Sequence, residues 1–137
     1  MGFWLPDGFI LSWGNVERLL EWGVGLFFVY YALNGFFGWQ KIPPQSPRFE
    51  KFIQSLHATG FLMPVVKFLE LVAGLLLILD WTPLIATAIL APIVFVIVSA
   101  HFFLNFMRGW RIAAATFFPY ALLVFCQLDR WKFLWSR

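Results

Sequence analysis

Apolar residues gather in four long runs, at about 16–39, 62–79, 83–107 and 111–128, with short polar breaks between them. At 1.5 Å per helical residue each run reaches about 27–37 Å, enough to cross a hydrocarbon layer of about 30 Å. Lipid offers the backbone no hydrogen-bond partner, so spanning segments of this length are helices. The pattern therefore predicts four transmembrane helices. Asp80, Trp81, Thr82 and Pro83 join the second and third runs into an antiparallel hairpin, with Pro83 suited to a first helical turn. A second short turn is expected around Arg108, Gly109 and Trp110. Connections this short place consecutive helices side by side. Gly23, Gly25, Ala73, Gly74, Ala86, Ala88, Ala91 and Ala113 to Ala115 offer surfaces for close approach. Pro92, inside the third run, predicts a kink.

The one sizeable connection, 40–61, has its own pattern. Phe49, Phe52, Ile53 and Leu56 recur at helical spacing, and Arg48, Glu50, Lys51 and Gln54 occupy the other face. After Ser46-Pro47 this reads as a short amphipathic helix, at about 47–57, lying on the membrane. Residues 1–13 are aromatic and apolar but broken by Pro6, Asp7 and Gly8, and they lack the basic start of a secretory signal. They are expected to form an arm in the membrane interface, where tryptophan prefers to lie, with Asn15 capping the first helix.

Composition sharpens this picture. The chain is 61% hydrophobic and 12% charged, with 18 Phe and 8 Trp among 137 residues. A soluble domain is about 45–50% apolar and about 25% charged. One integral membrane domain, 1–137, is therefore expected, and soluble enzymes and nucleic-acid readers are excluded. The net charge of +3 comes from scattered basic residues, which read as membrane-flanking anchors rather than a nucleic-acid stripe. Four spans put both termini on one side. Arg18, Arg130, Lys132 and Arg137 on that side oppose Lys41, Arg48, Lys51, Arg108 and Arg111 on the other, so charge does not fix the orientation. A single cysteine, Cys126, gives no disulfide, iron–sulfur cluster or cysteine zinc site and reads as an apolar packing residue. His101 has no second intramembrane histidine to make a bis-histidine haem, and His57 reads as solvated. No covalent cofactor and no metal is expected.

Polar side chains in hydrocarbon are costly and therefore informative. They are Asn34, Lys67, Glu70, His101, Asn105 and Tyr120. Because alternate helices run in opposite directions, the first five fall in one leaflet, with Asn34 and His101 about 8–9 Å and Glu70 about 12 Å in from their helix ends. A shared polar pocket is the economical explanation. Met63, Lys67, Glu70 and Gly74 line one face of the second helix, with Lys67 one turn from Glu70. A carboxyl–imidazole pair of Glu70 and His101 could exchange protons with a quinone or similar carrier. Lys67 would tune Glu70, while Asn34, Asn105 and Tyr120 would bind the carrier. The same residues could instead form a structural clamp, at about 0.6–2 kcal/mol for each interhelical bond.

Asn34-Gly35 closing the first span, Lys41 after it, Gly60-Phe61-Leu62-Met63-Pro64, and Leu69-Glu70-Leu71-Val72-Ala73-Gly74 resemble the DoxX family of small four-helix membrane proteins. The resemblance covers roughly residues 16–125, and Lys41, Pro64, Glu70, Gly74 and His101 match the family's recurrent positions. One departure is Thr82-Pro83, where the family often has a Thr-Arg pair. Relatives of the DoxD type are membrane subunits of thiosulfate:quinone oxidoreductase. The resemblance implies an all-α transmembrane four-helix bundle, and it favours a subunit of a quinone-linked redox complex in a bacterial-type cytoplasmic membrane. Its partners would then be other membrane subunits, with a quinone or a lipid bound. A non-catalytic accessory subunit is the alternative. A small-molecule transporter comes third, since no inverted repeat or pair of broken helices is evident along the chain.

Overall fold

The computed structural model describes residues 2–4, 10–41 and 43–132. Two short strands, β1 (Gly2–Trp4) and β2 (Ile10–Ser12), pair antiparallel with Phe3 opposite Leu11. Of the stretch 1–13, expected to be an interfacial arm, the described residues form this strand pair and the first residue of a helix, and the break at Pro6, Asp7 and Gly8 lies outside them. Six helices follow among the described residues: α1 (Trp13–Phe37), α2 (Pro47–Ala58), α3 (Leu62–Ile78), α4 (Pro83–Leu104), α5 (Phe106–Cys126) and α6 (Leu128–Trp131). The protein is an all-α membrane bundle with this strand pair added. Since α1 begins at Trp13, Asn15 lies inside its first turn rather than capping it.

Three helices, Asn15–Phe37 within α1, α4 and α5, are each long and apolar enough to cross a membrane. The 17 residues of α3 reach about 25 Å, at the short end of the spanning range. The four close a ring in which α1 packs on α3, α3 on α4, α4 on α5, and α5 back on α1. Their core is built largely from Val24, Phe28, Ala73, Leu77, Leu90 and Leu123. The larger apolar side chains point outward: Leu26, Phe68, Phe95, Phe103 and Phe118 are all more than half exposed. Such a surface would drive aggregation in water and is at home in hydrocarbon.

Small residues set the helix spacing. A Cβ placed on Gly25 would lie 2.8 Å from the carbonyl oxygen of Gly74, and one placed on Gly74 would lie 2.8 Å from that of Gly25. The backbones of α1 and α3 therefore touch at this point. At the far end of α1, Gly38 takes φ +63° and returns its N–H to the Asn34 carbonyl at 2.7 Å, a left-handed helix stop that glycine adopts without strain. Between α2 and α3, Gly60 at φ +79° allows a bend of 93°, so the amphipathic helix lies across the end of the bundle. Ser46 starts that helix by accepting the Phe49 N–H at 3.2 Å, with Pro47 in the first turn.

The joint between α4 and α5 differs from the expected turn at Arg108–Trp110. It is the single residue Asn105, and Arg108, Gly109 and Trp110 lie inside α5. Asn105 leaves the helical path at φ −149°, and its carbonyl accepts the N–H groups of Arg108 at 3.2 Å and Gly109 at 2.7 Å to start α5. Asn105 is thus a joint at the end of the bundle, not a residue within the third span.

Candidate functional site

At the end of the bundle covered by α2, the polar side chains form two groups. The first centres on Asn105. Its Oδ1 accepts the Ser46 N–H at 2.9 Å, which fixes the amide so that Nδ2 faces Gln45 Oε1 and His101 Nδ1. Ser46 Oγ also donates to the Leu104 carbonyl, and Arg108 donates to the carbonyls of Pro44 at 3.2 Å and Gln45 at 3.1 Å. The loop before α2 is thereby tied to the α4–α5 joint.

This geometry selects one tautomer of the neutral imidazole. Asn105 Nδ2 lies 3.3 Å from His101 Nδ1 and can only donate, so Nδ1 is the acceptor and a neutral ring holds its proton on Nε2. That Nε2–H makes no hydrogen bond among the described residues. Phe49 of α2 stacks on the ring at 4.5 Å and holds its plane. The close approach to α5 depends on Gly109, where a Cβ would lie 2.2 Å from His101 Nδ1 and 2.6 Å from Asn105 Nδ2. Gly109→Ala is expected to push both side chains away and to cost about 1–3 kcal/mol by overpacking. Thermal unfolding in detergent measures the loss, and the imidazole nitrogen resonances report the displaced ring.

The second group is Lys67 and Glu70. The ammonium lies 3.2 Å from Glu70 Oε2, and Glu70 is 2% exposed. The stem of Lys67 lies across Gly35 of α1, where a Cβ would meet its Cδ and Cε at 3.0 Å. Asn34, beside it, closes the turn after α1: its Oδ1 accepts the Gln40 N–H at 2.7 Å. Lys67 and Glu70 are therefore brought together, as are His101 and Asn105. Among the described residues no hydrogen bond or ion pair joins Glu70 to His101.

Tyr120 belongs to neither group. Its hydroxyl donates to the Thr87 carbonyl at 2.6 Å, near the start of α4 and so at the other end of the bundle. Pro92, inside α4, removes the N–H that the Ala88 carbonyl would accept. The Thr87 hydroxyl in turn reaches Gln127 Oε1 at 2.8 Å, so this network ties α4 to the end of α5.

The structure also shows a polar cluster that reading the spans one by one did not single out. Arg18 pairs with Glu21 at 2.8 Å, donates to the carbonyls of Leu77 (2.7 Å) and Ile78, and stands 4.0 Å from Asp80. Arg130 pairs with Glu17. Glu21 is as buried as Glu70, at 2% exposure. The spacing Arg18-x-x-Glu21, identical to Lys67-x-x-Glu70, was the available signal. It was obscured because charges near a span end read as headgroup anchors.

The DoxX family model matches residues 19–105, more than half of the chain. The chain belongs to the DoxX family. No curated protein and no solved structure matches it. The matched segment runs from α1 to the α4–α5 joint and includes Asn34, Lys67, Glu70, His101 and Asn105, while Tyr120 lies outside it. The arginine that DoxX members often carry after the second span is replaced here by Pro83. Arg18 of α1 brings a guanidinium to the same turn, against Asp80 and the last carbonyls of α3.

Proposed function

We propose that this DoxX protein is a small membrane subunit of a quinone-linked redox complex, with the quinone head group beside His101. The observation that carries this reading is an Nε2–H without a hydrogen bond among the described residues, on a ring held by Asn105 and Phe49. An apolar groove of about 310 Å³, lined by Phe52 of α2 and by Phe95, Val96, Ser99, Ala100, Phe103 and Leu104 of α4, lies on the same two helices, with His101 outside its lining. It suits an isoprenoid tail, and the histidine would donate to a carbonyl oxygen of the head group. Glu70, on the neighbouring helix and balanced by Lys67, would be the second proton-exchanging group. Asn34 and Asn105 act here through the loops they hold, and Tyr120 has no part. The salt bridge from Arg130 to Glu17 brings α6 beside the first turns of α1 at one end of the bundle, which supports both termini lying on one side of the membrane.

One observation favours the accessory-subunit reading. The amides of Asn34 and Asn105 are fully engaged in holding connections together, as a structural clamp requires. Gentle extraction from native membranes, followed by identification of partners and quantification of retained quinone, separates the two. The redox reading expects large redox partners and stoichiometric quinone that falls to background in His101→Ala and Glu70→Gln. Partners retained with no such dependence would leave an accessory subunit. Recovery of the bundle alone and without quinone would count against both.

A further inference from the structure

The two ends of the bundle treat their cations differently. At the end where α3 turns into α4, Arg18, Arg130 and Lys132 each face a carboxylate: Glu21 at 2.8 Å, Glu17, and Asp129 at 3.2 Å. At the end covered by α2, Lys67 has Glu70, but Lys41, Arg48, Lys51, Arg108 and Arg111 have no ion-pair partner among the described residues. Arg108 is committed to the Pro44 and Gln45 carbonyls, and Arg111 stands over the Trp110 ring at 5.5 Å. On α2 itself, Arg48 and Lys51 are exposed and stand three residues apart, so they are neighbours on one face. Glu50 lies about 200° round the helix from Arg48 and accepts the Gln45 N–H at 3.1 Å. The pair of cations is therefore left for a partner outside the chain.

Arg48 stands one turn before Phe52, which forms the α2 wall of the apolar groove against α4. One polar side chain lines that groove, Ser99, five residues before the end of α4 and so about 8 Å below it. The hydroxyls of Ser55 and Thr116 each donate to the carbonyl four residues back, at 2.9 and 2.7 Å. The Ser99 hydroxyl makes no hydrogen bond among the described residues. A hydroxyl without a partner is costly in hydrocarbon, so this one calls for a partner from outside the chain. The layer between headgroups and hydrocarbon is about 5–8 Å thick on each side of a bilayer. With α2 lying across the end of the bundle, two cations, then a hydroxyl one such layer deeper, then an apolar groove follow the order of phosphate, ester and chain in a phospholipid.

We propose that α2 and α4 form a binding site for one anionic phospholipid, with its phosphate between Arg48 and Lys51, an ester carbonyl accepting the Ser99 hydroxyl, and one acyl chain in the groove beside Phe52. Charge selects the head group: guanidinium and ammonium together suit a phosphodiester, and a zwitterionic head would bring its own ammonium against them with no free carboxylate on that face. The groove selects a lipid over a soluble phosphate ester, which would leave it unfilled. The site is held ready before the lipid arrives. The Ser46 N–H on Asn105 and the Arg108 bonds to Pro44 and Gln45 tie the start of α2 to the α4–α5 joint, so the cations keep their place above the groove. The lipid in turn holds α2, none of whose own residues is buried, against the bundle. An acyl chain and an isoprenoid tail are alternative guests of this groove, so the inference goes beyond the redox reading and does not rest on it.

The test uses the full chain, stripped of lipid in a neutral detergent and given phosphatidylglycerol or phosphatidylcholine with a photoreactive diazirine in one chain. Mass spectrometry locates the labelled residues. Phosphatidylglycerol is expected to label Phe52 and the 95–103 stretch of α4 about tenfold more than phosphatidylcholine at equal concentration. The double variant Arg48→Gln, Lys51→Gln should remove that preference, and because both side chains are exposed its thermal unfolding in lipid-free detergent should match the parent. Ser99→Leu, which fills the groove and removes the hydroxyl, should lose the labels on α2 and α4 with the cations intact. Equal labelling by the two lipids overturns the proposal, as do labels confined to the outer face of α5 or a preference that survives the double variant. Glycerol 3-phosphate in large excess is expected to leave the labelling unchanged, and full competition by it would show a phosphate site without a lipid and overturn the proposal. No quinone is present, so a failure here leaves the redox reading where it stood.

Discussion

Lys67→Ala is expected to destabilise the bundle far more than Glu70→Gln. Removing the ammonium leaves a carboxylate that is 2% exposed without its partner, a change that costs about 3–5 kcal/mol at buried pairs. Removing the carboxylate charge instead leaves Lys67, whose side chain is 22% exposed, free to extend along Gly35 toward the headgroups. That loss should be about 1 kcal/mol, in the range of an ordinary hydrogen bond. The double variant Lys67→Ala, Glu70→Gln should recover most of the stability lost in Lys67→Ala. Reversible unfolding in mixed detergent micelles measures all three. Equal losses in the two single variants would mean that the pair is solvated, contrary to the burial of Glu70.

Gly74→Ala is expected to be the next most damaging change, at about 1–3 kcal/mol. Its Cβ would lie 2.8 Å from the Gly25 carbonyl oxygen and 3.2 Å from the Val29 nitrogen, both backbone atoms that no rotamer change can move. Gly25→Ala meets the mirror-image contacts and should cost a similar amount. The two losses should not add, because separating α1 from α3 for one methyl group makes room for the other. Measured by the same unfolding assay, full additivity would show that the two glycines do not share one contact. Gly23, with nothing within 4 Å of its Cβ position, is the control and should tolerate alanine.

Both expectations rest on a pairing of α1 with α3 that the sequence reading located only in part. Spacing placed Lys67 one turn from Glu70, and the structure has them 3.2 Å apart. Arg18 and Glu21 stand at the same spacing, but Arg18 was read only as a membrane-flanking anchor and the pair was not singled out. Asn34, Lys67, Glu70, His101 and Asn105 do gather at one end of the bundle. Their grouping into separate pairs was not legible, because it depends on which side chain from another element arrives first. Asn105 illustrates the point. Its amide is claimed by Gln45 and Ser46, which lie far away in sequence, so a residue read as carrier-binding became the joint between two helices.

The sequence by itself determined the apolar spans, the amphipathic helix with its Ser46-Pro47 start, and the family. Each follows from local hydrophobicity, periodicity and short motifs, which need no knowledge of neighbours. Tertiary structure alone decided that α4 stops at Leu104, that Tyr120 serves the opposite end of the bundle, and that Arg18 holds the last carbonyls of α3. It also decided that α1 and α3 meet backbone to backbone at Gly25 and Gly74. The physical reason is register. Hydrophobic burial in a membrane is indifferent to a shift of one helix past another, and only backbone contact at glycines and the satisfaction of buried polar groups select one arrangement.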